Sequence, residues 1–196
     1  YTFGALVVES GSTMYLTAGM TLIGDARPLT DSGIRNLWVD GDATLYHNEG
    51  TIKCTGAMNL DPAVGGPQTY YNMIIDRLGG GDLDFADVGG TPFIIANDLT
   101  VASGTTFANQ GATDLFNCSG TVTASGTLNL SNNGNFTFGA LDIKSGGTYV
   151  ATSGTTFIGN GAVQNILDID GTFTHNNGTV ELGITTPFLG DPKITG

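Results

Sequence analysis

Apolar residues recur along this chain at a spacing of two. The pairs begin with Leu6/Val8, Leu37/Val39, Ile52/Cys54, Met58/Leu60, Met73/Ile75, Leu83/Phe85 and Phe93/Ile95. They continue with Leu99/Val101, Leu128/Leu130, Phe136/Phe138, Leu141/Ile143, Leu167/Ile169 and Val180/Leu182. Alternation of this kind turns one face of a segment inward and the other outward, which predicts half-buried β-strands. Clusters of small and turn-forming residues separate the pairs: Ser103-Gly104, Ser125-Gly126, Asn132-Asn133-Gly134, Ser145-Gly146-Gly147, Ser153-Gly154 and Asn176-Asn177-Gly178. Glycine and asparagine accept the backbone angles of tight turns, and serine and asparagine side chains bond locally to the backbone. No segment sustains a helical period. The expectation is an all-β chain of short strands with Gly/Asn/Ser turns.

The chain also repeats itself. Residues 3–24 read FGALVVESGSTMYLTAGMTLIG, and residues 138–159 read FGALDIKSGGTYVATSGTTFIG. The match continues from VDGDATLYHNEGTI at 39–52 to IDGTFTHNNGTV at 169–180 if two residues are looped out. The copies thus lie near 3–56 and 138–184. A weaker third copy sets LTVASGTTF at 99–107 against VATSGTTF at 150–157. Three short strands and their turns occupy roughly 20–25 residues, one coil of a parallel β-solenoid (β-helix), so about eight or nine coils fill the chain. The absence of proline between Pro92 and Pro187 fits uninterrupted strand pairing. Pro28 marks an excursion near 25–35, and Pro62 and Pro67 mark one near 61–70. A β-sandwich or jelly roll gives the same strand signal and is the alternative, but it does not require internal repeats. Length favours a single domain over 1–196, and the opening at Tyr1-Thr2-Phe3 suggests a segment of a longer chain.

Composition narrows the functions. Of 196 residues, 31 are glycine and only 12% are charged, yet 40% are hydrophobic. That combination argues against disorder, and glycine without a three-residue period argues against collagen. The net charge is -12, with 6 basic and 18 acidic side chains. A basic surface for nucleic acid is therefore not expected. No apolar run approaches the length of a membrane-spanning helix.

Few residues suggest chemistry. Cys54 and Cys118 each follow an apolar residue at a spacing of two, and Cys54 aligns with Leu182, an inward position. Buried free thiols are expected, with a disulfide between coils as the alternative. His47 and His175 are repeat-equivalent and precede turns; without a third ligand they read as turn or surface residues, so no metal is expected. Asp82 and Asp84 share one side of a strand with Asp87 nearby, and Asp168 and Asp170 do likewise. Paired carboxylates can hydrolyse glycosides, and oxygen ligands can hold calcium. Substrate-holding groups are scarce, however: the arginines are Arg27, Arg35 and Arg77, and the single tryptophan is Trp38. Solvated aspartates on strands that resist aggregation are the simpler reading. Thr121/Thr123 and Thr172/Thr174 form Thr-x-Thr pairs of the kind stacked on ice-binding solenoids, but consecutive copies are missing. Asn117, Asn129, Asn135 and Asn177 head glycosylation sequons that such a composition generates by chance. No catalytic, cofactor or metal residue is assigned.

The strings ANDLTVASGTTF, CSGTVTASGTLNLSNNGNFTFG and IDGTFTHNNGTVELG resemble segments of bacteriophage tail-fibre, tailspike and head-fibre virion proteins. They are also similar to secreted bacterial adhesins with β-solenoid passengers. TYYNMIIDRLGGG looks like the strand-turn unit that introduces such repeats. The resemblance covers most of the chain in style, and no fixed motif carries a residue role across. It implies a non-enzymatic virion structural protein, a fibre, spike or capsid-attached appendage serving assembly or host attachment. The implied partners are a homotrimer, other virion proteins and a host surface glycan. A bacterial adhesin or extracellular filament subunit at the cell surface is the alternative, and a polysaccharide-degrading enzyme is a third reading.

Overall fold

The computed structural model describes residues 1–24, 35–39, 42–56, 59–62, 68–77, 81–85, 92–109, 111, 115–159, 165–183 and 193–195. Of these, 35–36, 59–62, 81–85, 165 and 193–195 are described by backbone alone. Among the described residues every strand pair is parallel and no helix occurs. The chain is a parallel β-solenoid. A sandwich or jelly roll would pair neighbouring strands antiparallel, so that alternative is excluded.

Each coil contributes one strand to each of three faces. Face 2 is an eight-stranded sheet with one strand per coil: Leu6–Val8, Arg35–Val39, Asn59–Pro62, Gly81–Phe85, Thr105–Asn109, Thr127–Asn129, Thr148–Val150 and Thr172–Thr174. Face 1 runs from Thr2–Phe3 through Met20–Ile23, Thr51–Cys54, Asn72–Ile75 and Leu99–Val101 to 121–124, 140–143, Asn165–Ile169 and Lys193–Thr195. Face 3 begins with the two-stranded sheet of Thr13–Tyr15 and Thr44–Tyr46. It resumes at Thr69–Tyr70, Phe93–Ile95, 116–118, 136–138, Thr155–Ile158 and Thr179–Leu182. The strands Phe116–Ala124 and Phe136–Ile143 run through a corner, which joins face 3 to face 1 in one thirteen-stranded sheet. Pro62 closes a strand, in register with Val39, rather than standing within a loop.

In-register stacking turns the period-two pattern into columns. On face 1, Ile23, Cys54, Ile75, Val101, Ala124 and Ile143 stack one above another, all at 0% exposure. Beside them run Ile52, Met73, Leu99, Val122 and Leu141. Face 2 supplies Phe107, Leu128, Tyr149 and Phe173, and face 3 supplies Tyr70, Ile95, Cys118, Phe138 and Ile158. Phe116 sits at the centre of an aromatic cluster, with ring centroids 5.5–5.9 Å from Phe93, Phe107, Phe136 and Phe138. The column weakens at Thr179–Leu182. Val180 and Leu182 are 36% and 40% exposed, whereas Thr156 and Ile158, one coil earlier, are fully buried. No described strand covers the far edge of Thr179–Leu182.

The turns need glycine for two distinct reasons, side by side at Gly146-Gly147. Gly146 has φ +81°, a left-handed conformation that a side chain disfavours. Gly147 is needed for room: a Cβ there would lie 2.0 Å from the Ala124 carbonyl oxygen of the preceding coil.

The sequence repeat is out of step with the coils. Thr2–Phe3 lies on face 1, but its counterpart 137–138 lies on face 3. Leu6–Val8 lies on face 2 and 141–143 on face 1. Thr13–Tyr15 lies on face 3 and Thr148–Val150 on face 2. The repeated segment spans a full coil, but its second copy starts on face 3 instead of face 1 and is therefore rotated by one face about the solenoid axis.

Candidate functional site

The cysteines are placed where a small apolar residue would serve. Cys54 is fully buried between Ile23 and Ile75 of the neighbouring coils, and burial pushes its thiol up to about 12. Cys118 lies on a different face and donates to the Asn97 carbonyl oxygen at 3.0 Å; burial pushes it up to about 12 as well. Both are free, so the inter-coil disulfide is not present. A thiol held protonated is a poor nucleophile and a poor metal ligand.

His47 and His175 reproduce the same local device, as the repeat requires. His47 Nδ1 accepts the Glu49 N–H at 3.0 Å, and His175 Nδ1 accepts the Asn177 N–H at 3.5 Å. Glu49 and Asn177 both have φ +56°. The histidines shape left-handed turns, and His47 also stacks on Tyr71 with centroids 5.5 Å apart. Among the described residues no group of three or more histidine, cysteine or acidic side chains is placed to hold a metal ion.

The aspartates divide. Asp168 lies on the outer row of face 1 in register with Asp142, and Asp170 is exposed in the bend that follows. Lys144 reaches Asp142 Oδ2 at 2.6 Å, and this hydrogen bond, reinforced by the charges of Asp142, Asp168 and Asp170, raises the lysine's pKa. The Asp142–Asp168 register is not readable from the sequence, because residues 142 and 168 become neighbours only through coil stacking. Asp82 and Asp84 occupy strand Gly81–Phe85, in register with Thr106 and Ala108. Asp87 and Arg27 lie outside the described residues, and Arg35 is described by backbone alone. The Arg77 N–H donates to Thr105 Oγ1 at 3.1 Å, and Trp38 is half-buried opposite Val7.

The Thr-x-Thr pairs do not form a common surface. Thr121 and Thr123 lie on face 1 beside Ala140 and Asp142, whereas Thr172 and Thr174 lie on face 2. Face 2 instead carries a single outer column of Thr106, Thr127, Thr148 and Thr172, invisible as a motif because its members are one coil apart. Among the sequon asparagines, Asn135 Oδ1 accepts the Thr155 N–H at 2.9 Å; Asn117 and Asn129 sit on outward rows, and Asn177 is exposed in its turn.

One edge of the solenoid carries a longer connection on four successive coils. Four consecutive passages from face 2 to face 3 are long: Pro62 to Thr69, Phe85 to Phe93, Asn109 to Phe116 and Asn129 to Phe136. In the same coils Val101 passes to Thr105, and Ala124 to Thr127, with much shorter turns. The two longest passages fall at the other corners, Ile23 to Arg35 between faces 1 and 2 and Leu182 to Lys193 between faces 3 and 1, so this corner is marked by recurrence on successive coils rather than by length alone. Solenoids commonly display binding loops along one such edge. The passage 130–135 is held from beneath. The Thr152 hydroxyl donates to the Gly134 carbonyl oxygen at 2.7 Å and accepts the Gly154 N–H at 2.9 Å. The buried Asn132 closes the turn by accepting the Gly134 N–H at 3.0 Å.

No family model, curated protein or solved structure matches this chain.

Proposed function

We propose that this chain is a non-enzymatic structural segment of a virion appendage, a phage fibre, spike or capsid-attached projection. The observation that carries the reading is the continuous parallel ladder: each coil is held by both neighbours, which suits a stiff rod that transmits position rather than a site that turns over substrate. The outer faces support it. Threonines line face 2, and acidic groups outnumber basic ones, so the rod stays soluble and repels polyanions. On this reading the face 2 to face 3 edge presents loops to a host surface glycan or to other virion proteins, and three copies associate as a homotrimer.

Antibodies raised against the isolated solenoid test the assignment on intact particles from the natural source. Decoration of projections on virions supports it. Decoration of a bacterial surface without virions replaces it with the adhesin or filament reading. Native mass measurement tests the trimer separately, and a stable lone monomer removes that part. The enzyme reading requires that the chain cleave a host glycan and that Asp82→Asn with Asp84→Asn abolish the cleavage.

A further inference from the structure

We infer that Asn177-Gly178 is a site of spontaneous backbone modification, in which the Asn177 amide is lost through a cyclic imide. Two Asn-Gly steps lie within the described residues, Asn133-Gly134 and Asn177-Gly178. They are chemically alike, since glycine offers an unhindered backbone nitrogen to the asparagine side chain. The fold treats them differently. At Asn133 the attacking group is occupied: the Gly134 N–H is bonded to Asn132 Oδ1 at 3.0 Å. Asn132 is only 7% exposed and is itself fixed by Thr152 and Ser153. Both asparagine side chains are exposed, but at Asn177 the Gly178 N–H has no hydrogen-bond partner among the described residues, although the equivalent Gly50 N–H in the first repeat donates to the His47 carbonyl oxygen at 2.9 Å.

The reaction needs only water. The Gly178 nitrogen gives up its proton and bonds to Asn177 Cγ; the carboxamide C–N bond breaks and ammonia leaves. The five-membered imide then takes up one water. Opening at Cγ gives aspartate, and opening at the main-chain carbonyl gives isoaspartate, with one extra carbon in the backbone. Either product adds one negative charge. Isoaspartate also lengthens a turn that has no slack. A Cβ on Gly178 would lie 2.2 Å from the Thr152 carbonyl oxygen, and the next N–H, on Thr179, donates to Gly154 O at 2.8 Å. The modification is therefore expected to loosen strand Thr179–Leu182.

Peptide mapping of the folded chain, aged in mildly alkaline buffer, tests this, with an isoaspartyl methyl-acceptor assay and a parallel sample in denaturant. The expected result in the fold is conversion at Asn177 at least about tenfold faster than at Asn133, the ratio that about 1.4 kcal/mol of protection sustains. In denaturant the two rates should converge. Asn177→Gln should remove the methyl-acceptor signal from the peptide that carries residue 177, leaving that of the Asn160-Gly161 and Asp-Gly peptides in place. Asn132→Ala, with the fold verified by circular dichroism, should raise conversion at Asn133. Equal rates at the two sites in the fold, or an Asn177 that stays amidated while the denatured chain converts, would overturn the inference.

Discussion

Replacing Phe116 by alanine strikes the centre of the core. Its side chain is fully buried and touches aromatic rings on all sides, at 5.8 Å from Phe93, 5.9 Å from Phe107 and 5.5 Å from both Phe136 and Phe138. Truncating a buried phenylalanine costs about 3–5 kcal/mol through lost transfer energy and the cavity left behind. Each well-placed aromatic pair adds about 0.5–1.5 kcal/mol beyond area burial. Four such neighbours place Phe116→Ala at the upper end, about 4–5 kcal/mol. The four rings lie on the same coil, its neighbours and two faces, and the ladder holds them apart, so the cavity has little freedom to collapse. Urea denaturation followed by circular dichroism should show a lower midpoint with an unchanged slope. The outward Thr127→Ala is the control and should stay within about 0.5 kcal/mol of the parent. A loss below about 1 kcal/mol at Phe116 would show that the aromatic columns do not meet at the axis, and the packing described above would be wrong.

The two thiols should be silent to an aqueous thiol reagent in the native chain and should both react after unfolding; rapid native labelling of either would contradict their burial. Stability should fall in alkali. The thiols ionise near 9.0 when free and near about 12 in the fold, so their contribution is complete below pH 9 and is lost as pH rises toward 12. Each pH unit in that window costs about 1.4 kcal/mol per thiol. Tyr70 and Tyr149, also pushed up by burial, act in the same direction from 10.0. Denaturant midpoints across this range would check the slope, and a flat profile would refute it. Thr152→Val should cost about 1–3 kcal/mol, because it strands the Gly134 carbonyl and the Gly154 N–H, and a thermal melt measures it.

The strands and the architecture were legible because the pleat converts burial directly into alternation, and because self-similarity is visible without any structure. Cys54 shows how far this reaches: a spacing of two from Ile52 was enough to place it inside. Leu182 shows the limit, since the same alternation also pointed it inward, yet it lies 40% exposed where no described strand caps the column. What sequence could not supply is which residues become neighbours one coil away. The Asp142–Asp168 register with Lys144, the threonine column on face 2, and the recurrence of a longer connection at one corner of four successive coils all depend on how many residues each coil consumes. The rotation of the repeat by one face is a consequence of the same kind, because connections of different length between the copies change which face a strand meets.

A distance between spin labels at Val7 and Thr174 tests the solenoid most directly. Both residues are exposed and lie on the first and last strands of the eight-stranded face. Seven inter-strand steps of about 4.8 Å predict a backbone separation of about 34 Å with a narrow distribution. A short distance that sets the two strands side by side, or a broad distribution with no defined maximum, would contradict a continuous parallel ladder.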